Sequence, residues 1–308
     1  MKTPESFIAI GYRYFLAVAE TGSVRAASRH LNVAASAISR QLILLEDQLG
    51  IALFDRSGRK LELSPAGEIL LRGLRVASHG HEATLDNLNA LRGLKRGRVR
   101  VATVESVSVS VLPEVLLEFA GKYPGIEVSV TVAGSDAVTE LVRDHTADVG
   151  LTFNPTSLEG LESVITRDFQ LGAVMAPDHA LARSKTLTLD GCFAHRVAWP
   201  SRGLSLRAVL DKAMTGRANS IQPAFECNSL RLMATLARLG SCIAFQPPIG
   251  IEQDLVNGSL VWIPLAEKRL IADRLMVVRR QGQKGRLATD AFLALVQKHI
   301  PALKPVRK

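Results

Sequence analysis

The first fifty residues carry apolar side chains at the spacing of three short helices. At that spacing one side chain per turn falls on a single face, which is buried when helices pack together. The first helix is expected to end at Gly22, because glycine just past the last turn is a common helix stop. The apolar positions are Tyr12, Phe15, Leu16 and Ala19 in the first helix, Ala26, Ala27 and Leu31 in the second, and Ile38, Leu42, Leu45 and Leu49 in the third.

The polar side chains of the third helix form its opposite face. Ser36, Ser39 and Arg40 lie off the apolar stripe. The major groove of B-DNA admits one α-helix whose hydroxyl and guanidinium groups reach base edges and phosphates. Two helices around a tight turn also occur as a plain hairpin with a solvated Arg40, so the pair alone leaves both interpretations open. The flanking segments favour a DNA-binding helix-turn-helix.

The segment after the third helix predicts a small β-wing. Ser57 and Gly58 form a turn signal, and apolar residues alternate with polar ones at Leu61 and Leu63. The cations of this wing are Arg56, Arg59 and Lys60. Cations on such a wing suit contacts with DNA phosphates. The pattern therefore predicts a winged helix-turn-helix domain over residues 7–64, all-α apart from its wing.

Residues 14–67 resemble the N-terminal domain of LysR-type transcriptional regulators. The elements that carry the resemblance are S-x-I-S-R-Q, L-E-x-x-L-G, L-F-x-R and L-S-P-A-G, in this order along the chain. A weaker resemblance to the effector domain of the family continues through Leu112, Pro113, Phe119, Pro124, residues 147–150 and residues 239–241. The resemblance implies a bacterial regulator that binds double-stranded DNA at a pseudo-palindromic promoter site and responds to a small-molecule effector.

The resemblance also implies which residues contact DNA. The set is Arg25, Ala34, Ala35, Ser36, Ser39, Arg40, Arg56, Arg59 and Lys60. Family members usually have Ser-Gln where this chain has Ala34 and Ala35, the serine capping the helix and the glutamine touching DNA. Because alanine is a poorer N-cap than serine by about 1 kcal/mol, we expect the helix to begin later, with Ser36 as its cap. Alanine reaches only a thymine methyl group, so we expect an unusual or weaker operator preference.

A long helix is predicted after the wing. Ser64 at the cap, Pro65 in the first turn and Glu68 near the positive end of the helix dipole form a strong start. An apolar stripe continues to about residue 94, which corresponds to roughly 40 Å of helix at about 1.5 Å per residue. In the resembled family this segment, residues 65–94, is a linker helix that pairs with a second subunit, which implies a homodimer or homotetramer. Packing on its own domain is the alternative.

From about residue 97 the pattern changes to alternating strands and helices, which is typical of an α/β domain. Predicted strands cover residues 99–101, 126–132, 148–153, 169–176, 197–199, 224–227 and 242–245, and predicted helices cover residues 112–123 and 230–239. The fold class of the whole chain is therefore α/β. The resemblance implies a two-lobed effector domain over residues 97–303, similar to type 2 periplasmic binding proteins. Lobe one would span about 97–168 and 272–303, and lobe two about 169–271.

Polar residues follow the carboxyl ends of the predicted strands, where open α/β sheets bind ligands. The candidates for effector contact are Glu105, Ser106, Ser135, Asn154, Ser201, Arg202, Asn228 and Phe245. Ser106, Ser135 and Ser201 match effector-contacting loops of the resembled family, and a helix cap explains each of them equally well. A carboxylate metabolite is one candidate effector. Glu105 either favours an amine-bearing effector or points outward, and we expect the outward orientation.

Composition narrows the function further. The formal net charge of +9 fits a polyanionic partner, because each cation on a phosphate releases condensed counterions.

The three cysteines are far apart and no G-x-S-x-G, G-x-G-x-x-G or P-loop motif occurs, so we expect no disulfide framework, metal site, cofactor or enzyme. With neither a bilayer-spanning apolar run nor a signal peptide, we expect a cytoplasmic protein without membrane contact. The alternative is an α/β enzyme or solute-binding protein with an incidental helical N-terminal domain.

Overall fold

The chain folds into two compact units. The structure, a computed structural model, describes residues 9–55, 61–90, 97–214, 222–240, 242–267, 271–282 and 286–300. The first unit ends at Leu85, within a long helix, and the second begins at Asp86. Each unit has a hydrophobic core of its own.

The first unit combines helices with one small antiparallel sheet. In chain order its elements are α1 (Ile10–Thr21), α2 (Val24–Leu31), α3 (Ala35–Leu49), β1 (Phe54–Asp55), β2 (Glu62–Leu63) and α4 (Pro65–Ala90). β1 and β2 pair with Phe54 opposite Leu63. These are the three helices, the wing strands and the long helix that the sequence predicts. The predicted end of the long helix, residues 91–94, lies outside the described residues.

The buried side chains of the first unit follow the predicted stripe closely in α3 and less closely in α1, where Tyr14, Ala17 and Val18 are buried while the predicted Tyr12, Leu16 and Ala19 are half-buried. Ile38, Leu42 and Leu45 of α3 are buried in one core with Phe15 of α1. Leu49 was predicted to continue this stripe, and that prediction is wrong, since Leu49 is 42% exposed. Leu49 is the last residue of α3, and Gly50 after it adopts the left-handed conformation that ends the helix.

The start of α4 is built as its sequence predicts. Pro65 is the first helical residue and Glu68 lies in the first turn. The backbone N–H of Gly67 donates to Ser64 Oγ at 3.0 Å, so Ser64 is the cap. Ser64 also donates its own backbone N–H to the Leu53 carbonyl at 2.9 Å, which ties the start of α4 to the segment just before the wing.

The second unit alternates strands and helices. In chain order its elements are β3 (Gly97–Thr103), α5 (Glu105–Ser108), α6 (Val111–Lys122), β4 (Ile126–Val132), α7 (Ser135–Arg143), β5 (Val149–Phe153), β6 (Leu161–Phe169), β7 (Gly172–Met175), α8 (Leu189–Phe193), β8 (Ala198–Pro200), α9 (Ser205–Ala213), β9 (Phe225–Cys227), α10 (Leu230–Arg238), β10 (Ala244–Gln246), α11 (Glu252–Val256), β11 (Val261–Pro264), β12 (Asp273–Arg280) and α12 (Leu287–His299).

These elements form two lobes, each on its own set of strands. Lobe one has the sheet order β4-β3-β5-β12-β6, with β3 parallel to β4 and β5, and β12 antiparallel to β5 and β6. Lobe two has the antiparallel sheet β10-β7-β11 and the parallel pair β8-β9. The chain passes from lobe one to lobe two between Phe169 and Gly172, and it returns between Pro264 and Asp273.

Each lobe packs helices against its strands around aromatic side chains. In lobe one Phe119 of α6 meets Phe292 of α12 with ring centroids 5.4 Å apart. In lobe two Trp199 of β8 meets Phe245 of β10 at 5.3 Å. All four side chains are buried, so each lobe is a rigid platform for the loops at its strand ends.

The predicted strands and helices of this unit occur within a few residues of their expected positions, with one correction. The strand predicted over residues 169–176 is two strands, because Phe169 ends β6 in lobe one and Gly172 begins β7 in lobe two. Sequence analysis did not predict β6, β11 or β12. β6 pairs along its length with β12. Only its two end residues, Leu161 and Phe169, are buried, and the residues between them are half-buried or exposed, so its apolar signal is diluted by polar residues.

Candidate functional sites

The turn between α2 and α3 is held by short-range hydrogen bonds. Ser23 caps α2, accepting the backbone N–H of Ala26 on its Oγ at 3.1 Å. Asn32 adopts a left-handed conformation at φ 53°, which asparagine tolerates better than most residues. Ser28 Oγ donates to the Val33 carbonyl at 2.6 Å. These contacts fix the angle at which α3 leaves the turn.

α3 presents a polar face opposite its buried stripe. Ser36 and Arg40 are exposed one helical turn apart, and Ser39 is half-buried beside them. Ile38, on the other side of the helix, is fully buried. In the described part of the chain neither Arg40 nor Arg25, which is exposed in α2, forms an ion pair. Both guanidinium groups are therefore available to a polyanion.

The expected late start of α3 is wrong. The helix begins at Ala35, with exposed Ala34 as its N-cap residue and no side-chain cap. The Ala34 carbonyl accepts the backbone N–H groups of Ala37 and Ile38 at 3.0 and 3.3 Å, so backbone bonds alone close the first turn. Ser36 consequently does not serve as a cap, and its hydroxyl remains on the exposed face.

The wing is fastened to the end of α3. Glu46 Oε1 accepts the backbone N–H of Leu53 at 2.7 Å and that of Phe54 at 3.3 Å. This places the start of β1 next to the last turns of the helix that carries Arg40. The wing cations Arg56, Arg59 and Lys60 lie outside the described residues.

A cleft of about 290 Å³ lies between the two lobes of the second unit. It opens at the carboxyl ends of β3, β4 and β5 in lobe one and at the starts of α9 and α10 in lobe two. Its polar lining consists of Glu105, Ser106, Ser135, Ser205, Asn228, Ser229 and Asp273. The remaining lining is apolar and includes Phe153. An apolar cavity with a few convergent polar groups is the usual form of a small-molecule site.

Two helices begin at this cleft without a side-chain cap. α7 starts at Ser135 and α9 at Ser205. Ser135 Oγ donates to Ser205 Oγ at 3.2 Å, so the two lobes meet here through hydroxyl groups. Uncapped backbone N–H groups at a helix start favour a hydrogen-bond acceptor.

Glu105 crosses the cleft, so its expected outward orientation is wrong. Its carboxylate accepts Ser229 Oγ at 2.9 and 3.1 Å on its two oxygens, and it accepts the backbone N–H of Arg231 at 3.2 Å. The carboxylate is attracted by the positive N-terminal end of α10. Glu105 of lobe one therefore occupies the free donors at the start of a lobe-two helix.

Asp273 lies at the first position of β12, where the chain returns to lobe one. It lines the cleft although it is only 3% exposed. Asn154 Nδ2 donates to Asp273 Oδ1 at 2.6 Å. Burial raises the pKa of the Asp273 carboxyl to about 7, because desolvation disfavours the charged form.

Two family models match the chain. The model described as "Bacterial regulatory helix-turn-helix protein, lysR family" matches residues 11–68, and the model described as "LysR substrate binding domain" matches residues 92–301. The second match alone covers more than half of the chain. The chain belongs to the LysR family. It is a LysR-type transcriptional regulator with a DNA-binding helix-turn-helix domain and an effector-binding domain.

Other members of the LysR family are similar along most of the chain. The "probable nitrogen assimilation transcriptional activator" of Synechococcus elongatus is 29% identical over 258 residues, 83% of each protein. The "RuBisCO operon transcriptional regulator" of Allochromatium vinosum is 24% identical over 286 residues, 92% of this chain and 93% of that protein. Both relatives are named as transcriptional regulators.

Solved structures show the same fold. The LysR-family regulator CbnR superposes with a TM-score of 0.61 and 22% identity, covering 94% of this chain and 98% of its own. Full-length OxyR from Pseudomonas aeruginosa gives a TM-score of 0.70 and 14% identity, covering 95% of each chain. CbnR has also been solved in complex with its target DNA. At these identities the likeness concerns the fold of this LysR-family chain.

Four of the eight sequence-predicted effector residues line the cleft of this LysR-family chain. They are Glu105, Ser106, Ser135 and Asn228. Asn154 does not line it but stands behind it, donating to Asp273. Asn154 Oδ1 accepts the backbone N–H of Arg274 at 3.1 Å. Both the NH₂ group and the oxygen of the Asn154 amide are therefore hydrogen-bonded within the protein.

The other three predicted effector residues do not line the cleft. Phe245 is fully buried in the lobe-two core because its ring packs against Trp199. Ser201 donates its backbone N–H to the Cys227 carbonyl at 2.8 Å, which gives it a structural place beside the β8-β9 pair. Arg202 is exposed in the turn after Ser201. The end of β8 thus lies outside the cleft, which is lined instead by the start of α9.

Sequence analysis missed three polar residues of the cleft. Ser205 and Ser229 each stand just before or at the start of an amphipathic helix, a pattern that indicates a cap and gives no sign of a ligand. Asp273 begins a strand that was not predicted. The described ranges hold no group of three or more side chains that could ligate a metal ion. None of the described helices is long and apolar enough to cross a membrane.

Proposed function

We propose that this LysR-family regulator binds a pseudo-palindromic promoter site by placing α3 in the major groove of double-stranded DNA. The observation that supports this most directly is the exposed face of Ser36, Ser39 and Arg40 on a helix that Ile38 anchors in the core. Hydroxyl and guanidinium groups at helical spacing can reach neighbouring base edges and phosphates. Arg25 and the wing cations would add phosphate contacts, in keeping with the net charge of +9.

The proposal extends to a dimer or tetramer built through α4. Ile69 and Val76 are seven residues apart on this helix, and they are 65% and 51% exposed. A seven-residue apolar repeat on an exposed helix is the pattern that pairs two helices. Leu70 and Leu74, on another side of α4, pack against the core of the first unit. One side of α4 therefore serves its own unit, and another remains for a second copy.

We further propose that a small molecule in the cleft controls the regulator. Lobe one supplies Glu105 and Ser135 to this cleft, and lobe two supplies Ser205 and Ser229. A ligand that binds both sets favours the lobe arrangement in which they face each other. A differential affinity of about 1–3 kcal/mol between two arrangements is of ordinary allosteric size. The function proposed for the second unit is thus ligand sensing without catalysis, in a protein that works in the cytoplasm, where its DNA target is.

The experiment that tests the DNA interface measures binding to the region upstream of the regulator's own gene. We expect Arg40→Ala to weaken binding about 5- to 100-fold, as for the loss of one direct base contact. Fluorescence anisotropy with labelled DNA gives the affinity, and circular dichroism checks that the variant is folded. The matched control is Arg196→Ala, which removes the same charge from an exposed position of the second unit.

Each result of this experiment bears on the proposal. If Arg40→Ala and Arg196→Ala bind DNA equally well, Arg40 does not contact the operator and α3 is not the recognition helix in the way proposed. If the wild-type protein is monomeric and binds no upstream fragment at low salt, the proposal as a whole fails.

A further inference from the structure

The charged lining of the cleft has one sign. Glu105 and Asp273 are the acidic side chains that line it, and no lysine, arginine or histidine stands among the described residues of the lining. A cleft of this kind offers a negatively charged ligand no cationic side chain to pair with. It offers a positively charged ligand two carboxylates, those of Glu105 and Asp273.

Glu105 already has its partners. Its two oxygens accept one side-chain and one backbone donor of lobe two, from Ser229 and Arg231. A ligand cation at Glu105 would compete with these hydrogen bonds and with the positive end of α10. Glu105 therefore serves to hold the two lobes in register, and we do not assign it the ligand's charge.

Asp273 is in the opposite situation. Its Oδ1 accepts one hydrogen bond, from Asn154 Nδ2 at 2.6 Å. In the described part of the chain its Oδ2 has neither a hydrogen bond nor an ion pair, although the residue is 3% exposed and faces the cleft. Buried carboxylates are normally paired or fully hydrogen-bonded, because an unpaired charge in the interior is costly. A buried, half-satisfied carboxylate at a ligand cleft points to a partner that arrives with the ligand.

The surroundings hold Asp273 in this state. Asn154 is oriented by the backbone N–H of Arg274, which donates to its Oδ1 at 3.1 Å and so turns its Nδ2 toward Asp273. The neighbouring guanidinium of Arg274 points to the other side of β12, as alternate strand residues do. It is held there by Asp168, with contacts of 2.6 and 3.0 Å. The nearest cation along the strand is thus engaged elsewhere.

We propose that the effector of this regulator carries a protonated amine, and that the ammonium group binds the free oxygen of Asp273. This rests on the proposed function of the cleft as the effector site. The ring of Phe153 lines the same cleft and suits an ammonium group or its alkyl chain. The uncapped starts of α7 and α9 at Ser135 and Ser205 suit a hydrogen-bond acceptor at the ligand's other end. Small amines and amino acids are therefore the expected class, and amine-free carboxylates are not.

The test compares matched ligands on the full-length protein. One set holds the common α-amino acids, putrescine and 4-aminobutyrate. A second set holds the derivatives that are N-acetylated on every amino group, which keep the carbon skeleton and remove the ammonium charge. A third set holds amine-free carboxylates such as succinate and malate. Ligand binding to the folded state raises the melting temperature in proportion to the logarithm of ligand concentration, so thermal shifts rank all three sets and titration calorimetry measures the affinity of each hit.

The expected result is a hit in the amine set whose N-acetyl derivative binds at least about tenfold more weakly. The same loss is expected when the amine is titrated into Asp273→Asn. The matched control is Asp290→Asn, an identical change on α12 outside the cleft, which should bind the amine like the wild type. The comparison of an amine with its N-acetyl derivative needs only the wild-type chain, so the test holds even where Asp273→Asn does not fold.

Other results overturn the inference in distinguishable ways. If succinate or another amine-free carboxylate binds while the amines do not, or if an amine binds Asp273→Asn as tightly as the wild type, the cleft is an effector site of another class. If no member of any set binds, both the amine class and the proposed effector function of the cleft fail. DNA binding by α3 is measured separately and survives either failure.

Discussion

The close approach of α4 to the segment preceding the wing makes Gly67→Ala a sharp test of the first unit. A methyl group at Gly67 would lie 2.1 Å from the Leu53 carbonyl oxygen and 2.9 Å from Leu63 Cδ2. The carbonyl cannot retreat freely, because it accepts the Ser64 backbone N–H at 2.9 Å. The added methyl must therefore push apart the contacts that fasten α4 to the wing.

The expected magnitude follows from two opposing effects. In an open helical position, replacing glycine by alanine stabilises a protein by about 1 kcal/mol. Overpacking by one methyl group costs about 1–3 kcal/mol, and a clash with backbone belongs at the upper end of that range. We expect Gly67→Ala to lower the free energy of unfolding of the first unit by about 2 kcal/mol. Gly11 of α1, in the same unit, would bring the added methyl no closer than 3.7 Å to any atom outside its own helix, an ordinary contact distance, so Gly11→Ala should leave it unchanged or raise it by up to about 1 kcal/mol.

Urea unfolding followed by far-ultraviolet circular dichroism measures both variants. Both tryptophans, Trp199 and Trp262, belong to the second unit, so tryptophan fluorescence should report the same transition in the wild type and in both variants. If Gly67→Ala is as stable as Gly11→Ala, the methyl group is accommodated and the described packing of α4 on this segment is wrong. If Gly67→Ala also binds DNA more weakly than the wild type, this packing helps to position the recognition helix.

Three further predictions concern the second unit. The Asp273 carboxyl keeps its proton up to about pH 7 in the folded protein, whereas the unfolded chain releases it near pH 3.8. Between about pH 5 and 8 the wild type should therefore lose about 3 kcal/mol of stability relative to Asp273→Asn. If the urea midpoints of the two proteins change equally between these pH values, the prediction is wrong. Arg286→Met removes the guanidinium that lies 2.6 Å from the buried carboxylate of Asp148. This change should lower the free energy of unfolding by about 3–5 kcal/mol in the same assay. A decrease no larger than that of an ordinary surface substitution would show that the ion pair is dispensable. Burial raises the pKa of the Cys192 thiol to about 12, so iodoacetamide should alkylate the half-buried Cys227 before Cys192. Mass spectrometry of the native protein measures the order of modification. If Cys192 is modified first, the described burial is wrong.

Local patterns in the sequence determined the DNA-binding unit. The spacing of Ile38 and Leu42, the glycine after α1 and the Ser64 cap each act within one or two turns of helix, so a short window of sequence contains all that is needed to predict them. The errors at the two ends of α3 have separate local causes. Leu49 is exposed because the helix ends there, and Ala34 needs no side-chain cap because backbone bonds close the turn.

The α/β character of the second unit was also predictable, since apolar strands and amphipathic helices alternate along it. The effector cleft was only partly predictable. Glu105, Ser106, Ser135 and Asn228 follow strands that the pattern identifies, and the structure brings them together. Phe245 ends a predicted strand and is buried in a core, because the position of a strand in its sheet decides whether its end meets a cavity.

What the tertiary structure alone decided are the contacts between residues far apart in the chain. Glu105 meets Ser229 across 124 positions, and Asn154 meets Asp273 across 119. No periodicity in the sequence predicts such contacts. They depend on how the two lobes pack against each other and on strands, such as β12, that the sequence pattern did not predict. The sequence by itself thus determined a LysR-type regulator with a helix for DNA. The fold decided that its cleft has a buried carboxylate with one oxygen left for a ligand.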